Sequence, residues 1–108
     1  MHIKTFTKDE QIALRECVGA LRALPFYQSD SFEEIFGNSR DEVESVHSSF
    51  PDWDLYDEAT TGYDPSGDVV RNALVWMLNG QEEERAAMSA CVSFPLTLIP
   101  YLYEKIQK

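Results

Sequence analysis

Residues 50–67, FPDWDLYDEATTGYDPSG, combine acidic and aromatic side chains in a way that is typical of protein-binding segments. The stretch contains five acids and four aromatic residues, and it contains no Lys or Arg. Aromatic side chains anchor interfaces because they bury a large area with few torsions. Acids around such anchors attract a basic partner and provide specificity at the rim. Trp53 and Tyr56 fit this description; the alternative is that Trp53 and Leu55 fill the core and the acids only face water.

The net charge of −10 is concentrated in the middle of the chain. Residues 29–68 contain twelve acids and one base, Arg40, whereas the remaining 68 residues contain seven acids and eight bases. A field of this sign repels nucleic acids and anionic membrane surfaces and attracts basic proteins. We therefore expect a basic protein partner, and neither a nucleic acid nor a membrane. The alternative is an acidic face that only keeps the protein in solution.

Signals for catalysis are weak. The chain has no GxGxxG, P-loop, HExxH or GxSxG motif. A nucleophilic pair would have to join Cys17 to His47, and the sequence offers no third group to orient the base. Pairs of acids such as glycosidases use arise by chance in a chain this acidic. We expect no catalytic residue and no cofactor.

Calcium binding is the other function that the acidic stretch could have. Its candidate oxygen ligands are Asp52, Asp54, Asp57 and Glu58. An EF-hand loop, however, requires Gly at its sixth position and Glu at its twelfth. This chain has Asp57 and Tyr63 at those positions. We therefore expect no metal ion.

Helical signals that could position these residues run along nearly the whole chain. Capping boxes begin helices at Thr7 and Ser39, Pro25 ends the first helix, and Asp64-Pro65 begins another. The predicted helices cover about 8–24, 29–37, 40–49, 65–78, 81–94 and 97–107, with one or two helical turns at 52–59. Strand signals are weak. We predict an all-α fold, an irregular bundle of five or six short helices forming a single domain over residues 1–108.

The apolar positions of these helices predict the core. The helix 65–78 is apolar on most sides, so we expect it at the centre of the bundle. We expect Phe32, Ile35 and Phe36 to face inward in the second helix, and Met88, Cys91 and Val92 in the fifth. Cys17 and Cys91 are expected to be buried thiols in a reducing compartment. Because the first ten residues lack the apolar run of a secretory signal, we expect a cytoplasmic protein.

A family resemblance lies in residues 54–80. Here Asp54, Leu55 and Tyr56 precede a PSG turn, and a helix then ends in Asn-Gly. The residues that carry the likeness are Asp54, Leu55, Tyr56, Pro65, Ser66, Gly67, Val69, Asn79 and Gly80. In these features the segment resembles the immunity proteins of the nuclease colicins and pyocins. Those proteins have a short third helix with Asp-Leu and adjacent tyrosines, a loop ending in Ser-Pro-Ser-Gly, and a last helix that finishes with Asn-Gly.

The chain also departs from that family pattern. The position of the second tyrosine is Asp57, Trp76 is offset by one place from the family's tryptophan, and the loop is two residues shorter. The chain continues for 28 residues after Gly80, where the family is nearly finished. The wider group of toxin-neutralising immunity proteins, which includes those of contact-dependent inhibition systems, contains many folds. The resemblance implies a small acidic helical protein that neutralises the toxin of the cell that makes it.

The first hypothesis is therefore an immunity protein that binds a cognate toxin domain, with a basic nuclease as the favoured partner. Tyr56 and Trp53 would be its anchors, and Asp54, Asp57 and Glu58, with Asp52 beside them, would pair with Lys or Arg of the toxin. Other acids would steer and discriminate: Glu33, Glu34, Asp41, Glu42 and Glu44. The second hypothesis is an acidic mimic of nucleic acid that inhibits a DNA- or RNA-binding enzyme, and the third is a non-catalytic adaptor subunit. A small metal-dependent enzyme comes last.

Overall fold

Helices begin and end at the local signals of the sequence in most of the chain. The computed structural model describes residues 3–53, 55 and 65–107, and this part contains six α-helices and no β-strand. The helices are α1 (Lys8–Ala20), α2 (Phe32–Phe36), α3 (Arg40–Ser49), α4 (Ser66–Asn79), α5 (Glu82–Ser89) and α6 (Leu98–Gln107). Short 3-10 helices cover Ile3–Thr5 and Leu21–Ala23. The prediction of an all-α bundle of five or six short helices is confirmed.

Both predicted capping boxes are present. The Glu10 amide donates to Thr7 Oγ1 at 3.2 Å, and the Thr7 amide donates to Glu10 Oε1 at 2.8 Å. At the start of α3, the Glu42 amide donates to Ser39 Oγ at 3.1 Å and the Ser39 amide donates to Glu42 Oε1 at 3.2 Å. Each box satisfies two amides that have no partner inside their helix. These interactions span three residues, which is why the sequence alone predicts them.

Helix α4 lies at the centre, as predicted, and it contacts α1, α3, α5 and α6. Its fully buried side chains are Val69, Val70, Ala73 and Leu74. They belong to one core cluster with residues of α1, α3 and α6, among them Leu14, Val43 and Leu102. The helix begins at Ser66, with Pro65 as the preceding cap residue. The predicted cap at Asp64 lies outside the described residues.

The first, second and fifth helices are shorter than predicted, and α2 covers only Phe32–Phe36 of the predicted 29–37. Regular α1 ends at Ala20, and a 3-10 turn carries the chain to Ala23. Leu24 is extended, with ψ at 135°, because a residue before proline avoids the helical region. Helix α5 ends at Ser89 instead of residue 94. In α6, Pro100 occupies the first turn, where proline removes no helical hydrogen bond.

Two of the predicted core residues are on the surface. Ile35 is 46% exposed, because the Phe32 and Phe36 rings stack at 5.2 Å between centroids and occupy the inward face of α2. Cys91 is exposed as well. It follows the end of α5, where its Sγ lies 3.6 Å from the Ala87 carbonyl oxygen. The prediction of a buried Cys91 thiol is therefore wrong, whereas Cys17 is buried as predicted.

No helix in the described ranges combines the length and the apolar character that crossing a bilayer requires.

Candidate functional site

Trp53, a predicted surface anchor, lies in the core. Its side chain is 0% exposed, and its Nε1–H donates to the Val46 carbonyl of α3 at 2.6 Å. The ring also contacts Phe50 edge to face, with centroids 5.2 Å apart. A buried indole is stable where its N–H has a partner. The prediction of Trp53 as an anchor is wrong, and the alternative, in which Trp53 and Leu55 fill the core, is the arrangement in the structure.

Four of the predicted binding residues, Asp54, Tyr56, Asp57 and Glu58, lie outside the described residues, as do five of the eight residues of the predicted helical turn at 52–59. Their roles stay predictions. Asp52, just before Trp53, is exposed. It therefore remains available to a partner.

The structure brings three exposed acids together at the starts of α2 and α3. Asp30, Glu33 and Asp41 line a surface cavity of about 170 Å³, with Ser29, Phe32, Ser39 and Arg40 as its other walls. We call this feature the acidic cavity. In the part of the chain that the structure describes, no ion pair joins the three carboxylates to a cation. Glu34, the next residue of α2, is exposed too.

Arg40 is the only base in residues 29–68, and its guanidinium connects two parts of the cavity wall by hydrogen bonds. Its Nη1 donates to the carbonyl oxygens of Tyr27 and Ser29, at 2.8 and 2.9 Å. These bonds tie the start of α3 to the turn that precedes α2. The Arg40 side chain therefore helps to bring Asp30 and Asp41 to one cavity, which three acids line together with a single arginine whose hydrogen bonds go to main-chain oxygens.

Glu42 and Glu44, predicted to steer a partner, also have internal roles. Glu42 completes the capping box of α3. Glu44 receives Arg22 Nε at 2.9 Å and Arg22 Nη2 at 2.6 Å, and the Tyr27 hydroxyl donates to it at 2.5 Å. The hydrogen bonds from Arg22 and then from Tyr27 lower the pKa of Glu44 to about 2. Burial, followed by the Glu44 hydrogen bond, raises the pKa of Tyr27 to about 12.

The thiol of Cys17 is unsuited to nucleophilic catalysis. Burial, with a smaller contribution from the charge of Glu16, raises the pKa of Cys17 to about 12. The thiol is therefore protonated at neutral pH, whereas the reactive form is the thiolate.

Among the described residues, no group of three or more His, Cys, Asp or Glu side chains is arranged to hold a metal ion.

The acidic cavity is the feature that sequence reasoning missed. The two helix starts were predicted, and Glu33 and Asp41 were both among the acids expected to steer a partner, but no cavity between them was predicted. Their proximity depends on the short connection between the two helices, in which the left-handed Gly37, with φ of 108°, ends α2 three residues before α3 begins. Asn38, which follows, is buried and accepts a hydrogen bond from Asn72 Nδ2 of α4 at 2.9 Å. Gly37 was predicted as a helix end, but the contact with α4 has no local signal.

Comparison of the chain with protein-family models, with curated proteins and with solved structures gives no significant match.

Trp53→Phe should lower the free energy of unfolding by about 2 kcal/mol, through the lost hydrogen bond and the cavity that the smaller ring leaves. Urea unfolding followed by far-ultraviolet circular dichroism measures the change. Trp76→Phe, at the half-buried tryptophan of α4, is the matched control and should cost less. Equal losses in the two variants would contradict a core-filling role specific to Trp53.

Glu44→Gln should lower the free energy of unfolding by about 1 kcal/mol near neutral pH, because the pair with Arg22 is partly screened by water. Its side chains are each 45% exposed. The pKa of Glu44 falls from 4.5 to about 2 on folding, so its contribution is present above pH 4.5 and is lost as the pH falls toward 2. The free energy of unfolding, measured as the pH is lowered from 4.5 toward 2, should therefore fall less in Glu44→Gln than in the wild type. Glu34→Gln is the control, and an equal reduction of this pH dependence by both variants would contradict the role of Glu44.

Proposed function

We propose that this chain is an immunity protein that binds and neutralises a cognate toxin domain, with a basic nuclease domain as the partner. The observation that carries the proposal is the acidic cavity, where the exposed carboxylates of Asp30, Glu33 and Asp41 gather around one arginine that is bonded to backbone carbonyls. Such a surface favours Lys and Arg side chains of a partner. The resemblance of residues 54–80 to nuclease immunity proteins supports the same class of partner.

A nuclease is the basic partner that the charge favours, because nucleases hold phosphate backbones with Lys and Arg. An acidic protein can cover that cleft, or bind beside it and exclude the substrate by charge and bulk. Attraction between oppositely charged surfaces also accelerates association. Fast capture is useful to an inhibitor that must act before its toxin does.

The cytoplasm is the proposed compartment, since Cys17 and Cys91 are both free thiols.

The decisive experiment is capture followed by rescue. The tagged chain is used to isolate its partner from the native host, and the partner is then expressed in a test strain with and without this chain. Rescue of growth together with loss of nuclease activity in vitro is the expected result. A captured protein that is harmless when expressed alone would contradict the immunity proposal, and inhibition of unrelated DNA-binding proteins would favour a nucleic-acid mimic.

Reversing the charge of the acidic cavity should slow association with the partner. The variant Glu33→Lys/Asp41→Lys should reduce the association rate constant by roughly tenfold or more at low salt, measured by stopped-flow fluorescence. The difference should shrink as salt screens the charges.

The control for that variant is Glu82→Lys/Glu83→Lys. It changes the net charge equally and also replaces two exposed acids in the first turn of a helix, α5. Any cost to helix stability from the lost N-terminal acids is therefore matched. Equal slowing by the two variants would show that net charge alone matters and would remove the acidic cavity from the binding surface.

Tyr56→Ala should weaken the complex by more than about 2 kcal/mol, the usual threshold for an interface hot spot. Tyr101→Ala is the matched control, because Tyr101 is a 51% exposed tyrosine of α6. Isothermal titration calorimetry with the captured partner measures both. An unchanged dissociation constant for Tyr56→Ala would remove that residue from the interface while leaving the charge-reversal test unaffected.

A further inference from the structure

The imidazole of His47 lies where α1 and α3 pack together. It is half-buried, and its Nε2 edge approaches the backbone of α1 so closely that a Cβ placed on Gly19 would lie 3.3 Å from Nε2. On its other side, Nδ1 lies 3.4 Å from Nη2 of Arg22. Because α1 has a glycine at this position, the ring fits between the two helices. A change in the charge of this ring therefore acts directly on their contact.

The contact with Arg22 requires a neutral imidazole. A guanidinium has only N–H donors, so Nδ1 must accept with its lone pair and Nε2 must carry the proton. When a second proton is added, Nδ1 becomes a donor facing another donor. The weak hydrogen bond at 3.4 Å is then replaced by repulsion between two cations. The same Nη2 atom also donates to Glu44 at 2.6 Å, so displacing Arg22 strains its pair with Glu44.

The charges around His47 are predominantly positive. Arg15 of α1 and Arg22 of the 3-10 helix Leu21–Ala23 both disfavour its charged form, and among the described residues Glu44 of α3 favours it. Glu44 is already engaged by Arg22 and the Tyr27 hydroxyl. On α4, which also packs against α3, Arg71 Nη2 donates to Asp68 at 2.8 Å. An imidazolium at position 47 would therefore add a positive charge next to Arg22, and the nearby Glu44 carboxylate already has two hydrogen-bond partners.

We infer that the contact between α1 and α3 is a pH-sensitive junction, held together while His47 is neutral and weakened when its imidazole takes a proton. Burial, then the charges of Arg22 and Arg15, lower the pKa of His47 below its ordinary value of 6.5. The unfolded chain therefore binds the proton more readily than the folded chain does. Stability falls as the pH drops below about 6.5 and stops falling once His47 is protonated in the folded state.

The junction matters because α3 also carries Asp41 of the acidic cavity. Mild acidification would loosen the helix that presents this acid. The inference does not depend on the proposed function, because its tests use the chain without any partner. Its effect begins as the pH falls below about 6.5, whereas the contribution of Glu44 is lost between 4.5 and about 2, so measurements above pH 4.5 separate the two effects.

The test compares urea unfolding near pH 7.5 with unfolding near pH 5.5, on either side of the ordinary histidine pKa. The wild type should unfold at a lower urea concentration at the acidic pH. His47→Asn places an amide oxygen near the position of Nδ1 but cannot be protonated, so it should lose most of this shift. His2→Asn is the matched control, since His2 is the second histidine of the chain, and it should retain the shift.

An equal acid shift in His47→Asn and the wild type would overturn the inference, as would its loss in His2→Asn. NMR titration of the wild type provides a test that needs no variant. The imidazole of His47 should titrate with a midpoint below 6.5, and the resonances of Gly19, Arg22 and Glu44 should follow the same midpoint. A midpoint at or above 6.5, or no accompanying change in those three residues, would show that the junction is not controlled by His47.

Discussion

Helix α4 has apolar side chains around most of its circumference, and they leave water only if several other helices surround it. Four helices contact it: α1, α3, α5 and α6. Burial of apolar surface is the main favourable contribution to folding in a domain of this size. The need to cover α4 therefore determines where the other helices lie. The charged residues are left to the outer faces and the helix starts.

The acids divide into two groups according to their surroundings. Glu10, Glu42 and Glu44 bond to groups of the chain itself: Glu10 and Glu42 cap helix starts, and Glu10 also receives Lys105 of α6 at 3.0 Å. These acids connect elements and contribute to the fold. Asp30, Glu33 and Asp41 face solvent around the acidic cavity. Carboxylates therefore have a structural role in the first group and are accessible to a partner in the second.

Helix α3 connects these two groups. Its first turn contributes Asp41 to the acidic cavity, and its last turns contribute Glu44 and His47 to the contacts with Arg22 and α1. Trp53 closes the far end by donating to the Val46 carbonyl. The proposed binding surface and the inferred pH-sensitive junction therefore share one element, α3.

Local signals in the sequence were sufficient to locate the six helices and to predict the all-α class, although α1, α2 and α5 are shorter than predicted. Some features depend only on contacts within a few residues, so they can be predicted from the sequence. They include the capping boxes at Thr7 and Ser39 and the proline in the first turn of α6. The apolar circumference of α4 predicted its central place for a similar reason, since no single neighbour could cover it.

Only the tertiary structure decided which side of each short element is buried. It placed Trp53 inside and left Ile35 exposed, although both were assigned the other way from the sequence. It also paired Glu44 with Arg22, which lies 22 residues earlier, and brought Asp30, Glu33 and Asp41 to one cavity. The sequence determined the charge and the helices by itself. The partner of each side chain depends on which helix happens to pack against it, and that information is not local.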